Sequence, residues 1–222
     1  MTLIVFDLDG TLIDSAKDLA ISMNATREHL NLQPLDPHLI YSFVGNGAAM
    51  LVKRALGPEA DEELNKTALE FFLKYYRTHA MEHTHLYDGV REVLDRLAVD
   101  HTMAVLTNKP FRISRDIIAA LGLAKHFKQV YGGDSFPTKK PDPQGLLAII
   151  EEAGTLPANT WMVGDSEVDI QTARNAGVRS CGVTWGFHPE LCQAENPDVM
   201  IERPDQLFKF LNADAIRFLD PT

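Results

Sequence analysis

The chain has little cysteine, little positive charge and no long apolar run, and each scarcity removes a class of protein. Cys181 and Cys192 are its two cysteines, with no CxxC pair. That rules out a disulfide framework and suits a reducing compartment, so a cytoplasmic location is expected. Lys and Arg number 21 against 31 Asp and Glu, a net charge of −10. Such a surface repels nucleic acid and anionic membrane, so neither is expected as a partner, and an anionic substrate needs local cations. The N-terminal apolar run has no basic segment before it and is cut by Asp7, so neither a signal peptide nor a membrane span is expected. Internal repeats and low-complexity tracts are also absent. What remains, 222 residues with 45% hydrophobic content, is enough for a full core in one domain, or in one domain carrying an insertion.

Short, largely apolar runs recur at Leu3 to Phe6, Met103 to Leu106, Gln129 to Tyr131, Trp161 to Val163 and Ser180 to Val183, three of them followed by Gly or Asp and two by Thr. Each predicts a buried strand. Helical patterns fall between them: Val90, Val93, Leu94 and Leu97; Ile113, Ile117, Ile118 and Leu121; Leu146, Leu147, Ile149 and Ile150. Alternation of this kind predicts an α/β fold, a Rossmann-like parallel sheet with helices on both faces. Between about Ser15 and His85 no strand is predicted, and the apolar spacing is helical. A connection of that length, far beyond the usual ~2–6 residues, predicts a helical cap over 15–85 inserted into a core of 1–14 and 86–222, hinged near Asp14 and Leu86.

Four segments carry chemistry. In Asp7-Leu8-Asp9-Gly10-Thr11 two carboxylates leave the end of a buried strand, where ligands of parallel sheets bind. Two acids so close imply a hard divalent cation, Mg2+ by preference. Thr107-Asn108-Lys109-Pro110 brings a hydroxyl and an amide to the next strand end, groups suited to phosphoryl oxygens. Lys139-Lys140-Pro141-Asp142-Pro143 fixes a lysine between prolines. Gly164-Asp165-Ser166-Glu167-Val168-Asp169 again runs a strand into acid, with Asp169 in the first turn of a helix. Each also has an ordinary reading as a turn, a cap or a solvated face.

In this order the segments resemble the haloacid dehalogenase superfamily: DxDGT, a Thr-Asn, a Lys before Pro, and GDSxxxD. The helical insertion after the first segment is similar to that superfamily's helical-cap subclass. Phe43 to Ala48, Leu86 to Val90, Thr107 to Pro110, Gly132 to Asp134 and Lys139 to Pro143 resemble its phosphoglycolate phosphatase group. Val168 departs from the Asn common there. The resemblance implies a Mg2+-dependent phosphatase acting on a small phosphorylated metabolite through an aspartyl-phosphate. Asp7 would be the nucleophile and Asp9 the acid and base. Thr107, Asn108 and Lys140 would bind the phosphoryl group; Asp7, Asp165 and the Asp9 carbonyl would hold the metal, oriented by Asp169.

Substrate choice is expected from the cap, where Gly45-Asn46-Gly47 breaks a helical pattern and would offer main-chain N–H groups to an anion, with Lys53 and Arg54 beyond. A carboxylate-bearing ester such as 2-phosphoglycolate fits. A phosphosugar mutase, another small-molecule phosphatase or pyrophosphatase, and a phosphoacceptor module are the alternatives; a dehalogenase has no need of Asp9 or a metal. His79, His83 and His85 have a spacing compatible with zinc, but lack further ligands. A monomer or homodimer is expected.

Overall fold

The computed structural model describes residues 2–211. In chain order its elements are β1 (Leu3–Phe6), β2 (Ile13–Asp14), α1 (Ala16–His29), α2 (Pro37–Tyr41), α3 (Ala48–Leu56), α4 (Glu62–His79), β3 (His85–Leu86) and α5 (Val90–Asp100). These are followed by β4 (Thr102–Leu106), α6 (Phe111–Ala120), β5 (Gln129–Tyr131), α7 (Gln144–Glu152), β6 (Thr160–Gly164), α8 (Glu167–Ala176), β7 (Arg179–Val183), α9 (Pro189–Ala194) and β8 (Val199–Ile201).

Six strands form one parallel sheet in the order β5-β4-β1-β6-β7-β8. The chain builds outward from β1 through β4 to β5, then returns to β1's other side for β6, so β1 is the point where strand order reverses. A crevice opens at such a point, beyond the strands' carboxyl ends.

The central strand β1 is apolar throughout, and β4 and β6 nearly so, because both faces are covered. Ile4, Phe6, Met103, Val105, Trp161 and Val163 pack on one face with α5 and α6. Leu3, Val5, Ala104, Leu106 and Met162 pack on the other with α7 and α8. All five predicted strands are present. β8 and the pair β2 and β3 are additional.

The helices α1 to α4 lie between β2 and β3, which pair antiparallel through Ile13 with Leu86 and Asp14 with His85. This two-residue ladder brings together the chain's exit into the helical segment and its return. Buried Asp18 in α1 reinforces it, with Oδ2 accepting from the N–H groups of His83 and Thr84 and from Thr84 Oγ1. The helical segment buries Leu19, Met23, Ile40, Leu51, Val52, Phe72 and Tyr76.

Candidate active site

Parallel register sets the site. Phe6 is level with Val105 of β4 and Val163 of β6, so Asp7, Thr107 and Asp165 leave adjacent strands at nearly one height. Asp7 is tied there by its N–H to the Val163 carbonyl, 2.9 Å. Gly10 allows the turn that follows. Its φ of +82° favours glycine, and a Cβ there would lie 2.2 Å from Asp165 Oδ2.

Asp7, Asp165 and Asp169 offer carboxylate oxygens all within 4.8 Å of one another, and all three residues are buried. Lys140, delivered by the loop before α7, lies 2.6 Å from Asp169 Oδ1 and 2.8 Å from Asp7 Oδ1. Three acids against one lysine leave excess negative charge. Burial, with Asp169 and Asp9 adding to it against the pull of Lys140, pushes the Asp7 carboxyl up to about 6. Burial, Asp169 and Asp7 raise Asp165 as well. Burial opposes charge on Lys140, but Asp169 and Asp7 outweigh it and hold the lysine above its ordinary range.

This donor set fits a hard divalent cation. Asp7 Oδ1 is buried against the Lys140 ammonium. Both Asp169 oxygens are engaged, Oδ1 by Lys140 and Oδ2 by the Ser166 N–H and hydroxyl. Asp7 and Asp165 line the cavity and would be the ligands, whereas Asp169, which does not line it, holds the lysine and caps α8. Phe187 N–H and Thr11 Oγ1 donate to Asp165 Oδ2 and Oδ1 at 2.7 and 3.2 Å.

Asp9 is turned elsewhere. Oδ1 accepts from Ser15 Oγ at 2.5 Å and from Lys109 Nζ at 2.8 Å, and Oδ2 accepts from Lys109 at 3.0 Å. The same ammonium donates to Tyr76 Oη of α4 at 2.6 Å.

A cavity of about 40 Å3 joins these groups to the helical segment. Asp7, Asp9, Thr107, Asn108 and Asp165 line it from the sheet side, and Gly45, Gly47, Leu51, Phe72 and Tyr76 from the helical side. Asn46 is not on this lining, nor is Lys140, which stands behind Asp7. Asn108 Nδ2 donates to the carbonyls of Gly45 and Lys140, both at 3.0 Å, so this amide ties the loop before α3 to the lysine loop.

Lys109, Tyr76, Ser15, Phe187 and His188 belong to the site and were not anticipated from sequence. For Lys109 the signal was present, a lysine immediately after the Thr-Asn at a strand end. Phe187 contributes through its backbone, which its side chain does not encode.

The histidine spacing does not produce a cluster. α4 ends at His79, so His83 is not on its helical face. His79 Nδ1 lies 2.8 Å from the Tyr75 carbonyl and His85 Nδ1 2.9 Å from the His83 carbonyl. Among the described residues the three aspartates form the cluster suited to a metal.

Comparison with known proteins agrees with this chemistry. The family model of haloacid dehalogenase-like hydrolases matches residues 4–183. The chain belongs to that family. It is 44% identical over 189 residues to a phosphoglycolate phosphatase of Chromobacterium violaceum, covering 83% of this chain and 85% of that protein. A phosphoglycolate phosphatase of Vibrio parahaemolyticus is 38% identical over 221 residues, covering 96% and 97%. A crystal structure described as a predicted phosphoglycolate phosphatase from Haemophilus somnus superposes with a TM-score of 0.88 at 33% identity, covering 95% of this chain and 97% of that one. With these relatives the chain is a phosphoric monoester hydrolase.

Proposed function

We propose that the chain hydrolyses a small carboxylate-bearing monoester, 2-phosphoglycolate, in a Mg2+-dependent reaction through a phosphoaspartate on Asp7. The observation that carries this reading is the meeting, around one cavity, of a buried carboxylate on Asp7, a second carboxylate two residues on, and a third from the adjacent strand. The names of the relatives support the choice of ester.

Asp7 and Asp165, with the Asp9 main-chain carbonyl, would hold Mg2+, which when bound neutralises the crowded carboxylates and the phosphoryl oxygens. Asp7 attacks phosphorus in line, the bond to the ester oxygen breaks, and the leaving alkoxide takes a proton from Asp9. General-acid help of this kind is typically worth ~10²–10⁴-fold, and an alkoxide needs it. Asp9 then accepts a proton from the water that attacks the phosphoaspartate, restoring Asp7 and releasing phosphate. Thr107 holds the transferred group through its hydroxyl and Asn108 through its main-chain N–H, while Lys140, fixed by Asp169, brings its positive charge to the group beside Asp7.

Residues 15–85 act as a cap over a core of 1–14 and 86–222. Support comes from the cavity, lined from both sides, and from β2 and β3 at the cap's roots. Gly45, Asn46 and Gly47 form the cap's specificity loop, leading into α3, whose first turn has no side-chain cap.

The test is an assay of purified protein against a panel of small phosphate esters in Mg2+. The highest kcat/KM is expected on 2-phosphoglycolate, with glycolate and phosphate as products and reversible loss of turnover in a chelator. A sugar phosphate or pyrophosphate ranking first would displace this substrate.

A further inference from the structure

A dianionic phosphoryl group is not the whole of a carboxylate-bearing ester, and the second anion also needs a cation inside the cavity. Among the described residues lining it, the basic residue types are Lys109 and His188. His188 Nε2 lies 2.9 Å from the Val44 carbonyl, which fixes its ring to the cap loop. Lys140 is paired with Asp7 and Asp169. Lys109 is left. It is 5% exposed, and all three of its donors are directed by the site: two to the Asp9 oxygens and one to Tyr76 Oη. Burial opposes its charge, but Asp9 and Tyr76 raise it above an ordinary lysine, so it is cationic at neutral pH.

The Asp9 contacts are unequal in their support. Oδ1 is also held by Ser15, whereas Oδ2 has Lys109 as its hydrogen-bond partner. We propose that Lys109 is the specificity residue that binds the substrate's carboxylate, giving up its 3.0 Å bond to Asp9 Oδ2 to do so and leaving that oxygen free to face the ester oxygen. Recognition and chemistry are then joined: an ester without the carboxylate leaves Asp9 bidentate on lysine. Tyr76, whose ring also lies 4.6 Å from Nζ, aims the ammonium from the cap. This inference rests on the reading of the substrate as a carboxylate-bearing ester.

Binding of two non-hydrolysable phosphonates to the Mg2+-loaded enzyme separates the two ideas. 3-Phosphonopropionate carries the carboxylate and propylphosphonate lacks it; the ratio of their Kd values is the readout. Lys109→Gln should cut the wild-type preference for the carboxylate about tenfold or more, the scale of a lost charge-assisted hydrogen bond. Asp9→Asn should raise that preference, because it removes the competing carboxylate; a merely structural role for Lys109 predicts no such rise. Should Lys109→Gln fail to fold with Asp9 unpaired, the neutral pair Asp9→Asn with Lys109→Gln serves, and it should lose the preference that Asp9→Asn alone retains. Unchanged preference in the Lys109 variants overturns this inference and leaves the substrate reading standing. Absence of any preference in the wild type overturns both.

Discussion

At the residue scale, the site separates two aspartates that sequence presents as a pair. Asp7 faces the acidic cluster and Lys140, whereas Asp9 is held by Ser15 and Lys109. Their variants should therefore fail differently. Asp7→Asn removes the oxygen proposed to attack phosphorus with little change of volume; turnover should be lost while circular dichroism and the unfolding midpoint stay near wild type. Trapping of phosphoenzyme should disappear with it, and near-normal turnover would mean that another group attacks phosphorus. Asp9→Asn should slow phosphoenzyme formation far more for an alkyl than for an aryl phosphate, since an aryl oxide departs with little protonation. Rapid-quench measurement with both esters checks this, and equal slowing would count against Asp9 as the acid.

At the element scale, the short β2 and β3 ladder joins the helical segment to the sheet, and Asp18 braces it. Replacing Asp18 with Ala would strand the N–H and hydroxyl of buried Thr84 and the N–H of exposed His83. Each unsatisfied buried group costs about 1–3 kcal/mol, so urea unfolding should show a loss of roughly 3 kcal/mol, and Asp18→Asn should lose less. A loss below about 0.5 kcal/mol, the range of an ordinary surface change, would show that the root is held by the ladder alone. The elements legible in sequence were those with enough residues for a pattern: the five apolar strands and the helices with apolar residues three and four apart. β2, β3 and β8, two or three residues each, are too short for periodicity and exist because of the partners beside them. The acids and Thr107 were readable because they follow strands. Lys109 stands in a segment marked by sequence but takes no role from it, because its significance lies in Tyr76, 33 residues earlier. The backbone donor at Phe187 leaves no trace in residue type.

At the scale of the whole molecule, the cavity is closed by a few polar links between the helical segment and the sheet side: His188 to the Val44 carbonyl, Asn108 to the Gly45 carbonyl and Lys109 to Tyr76. Two of these involve groups assigned to binding the substrate. The His188 link is the one through which closure can be weakened with least disturbance to chemistry. A hydrogen bond of this kind contributes about 0.5–1.5 kcal/mol net, so His188→Ala should shift a closed-to-open equilibrium by roughly two- to tenfold. If closure precedes chemistry and opening releases phosphate, KM for the ester should rise by a few-fold while kcat holds or increases. Amide hydrogen exchange should quicken around Phe43 to Ala48, the loop that this histidine holds, and remain unchanged in β1 and β6. A fall in kcat at unchanged KM would instead make His188 a participant in the reaction, since the ring lines the cavity beside Asp165 and Ser166. Normal exchange in the loop with unaltered kinetics would show that Asn108 and Lys109 suffice to keep the segment closed.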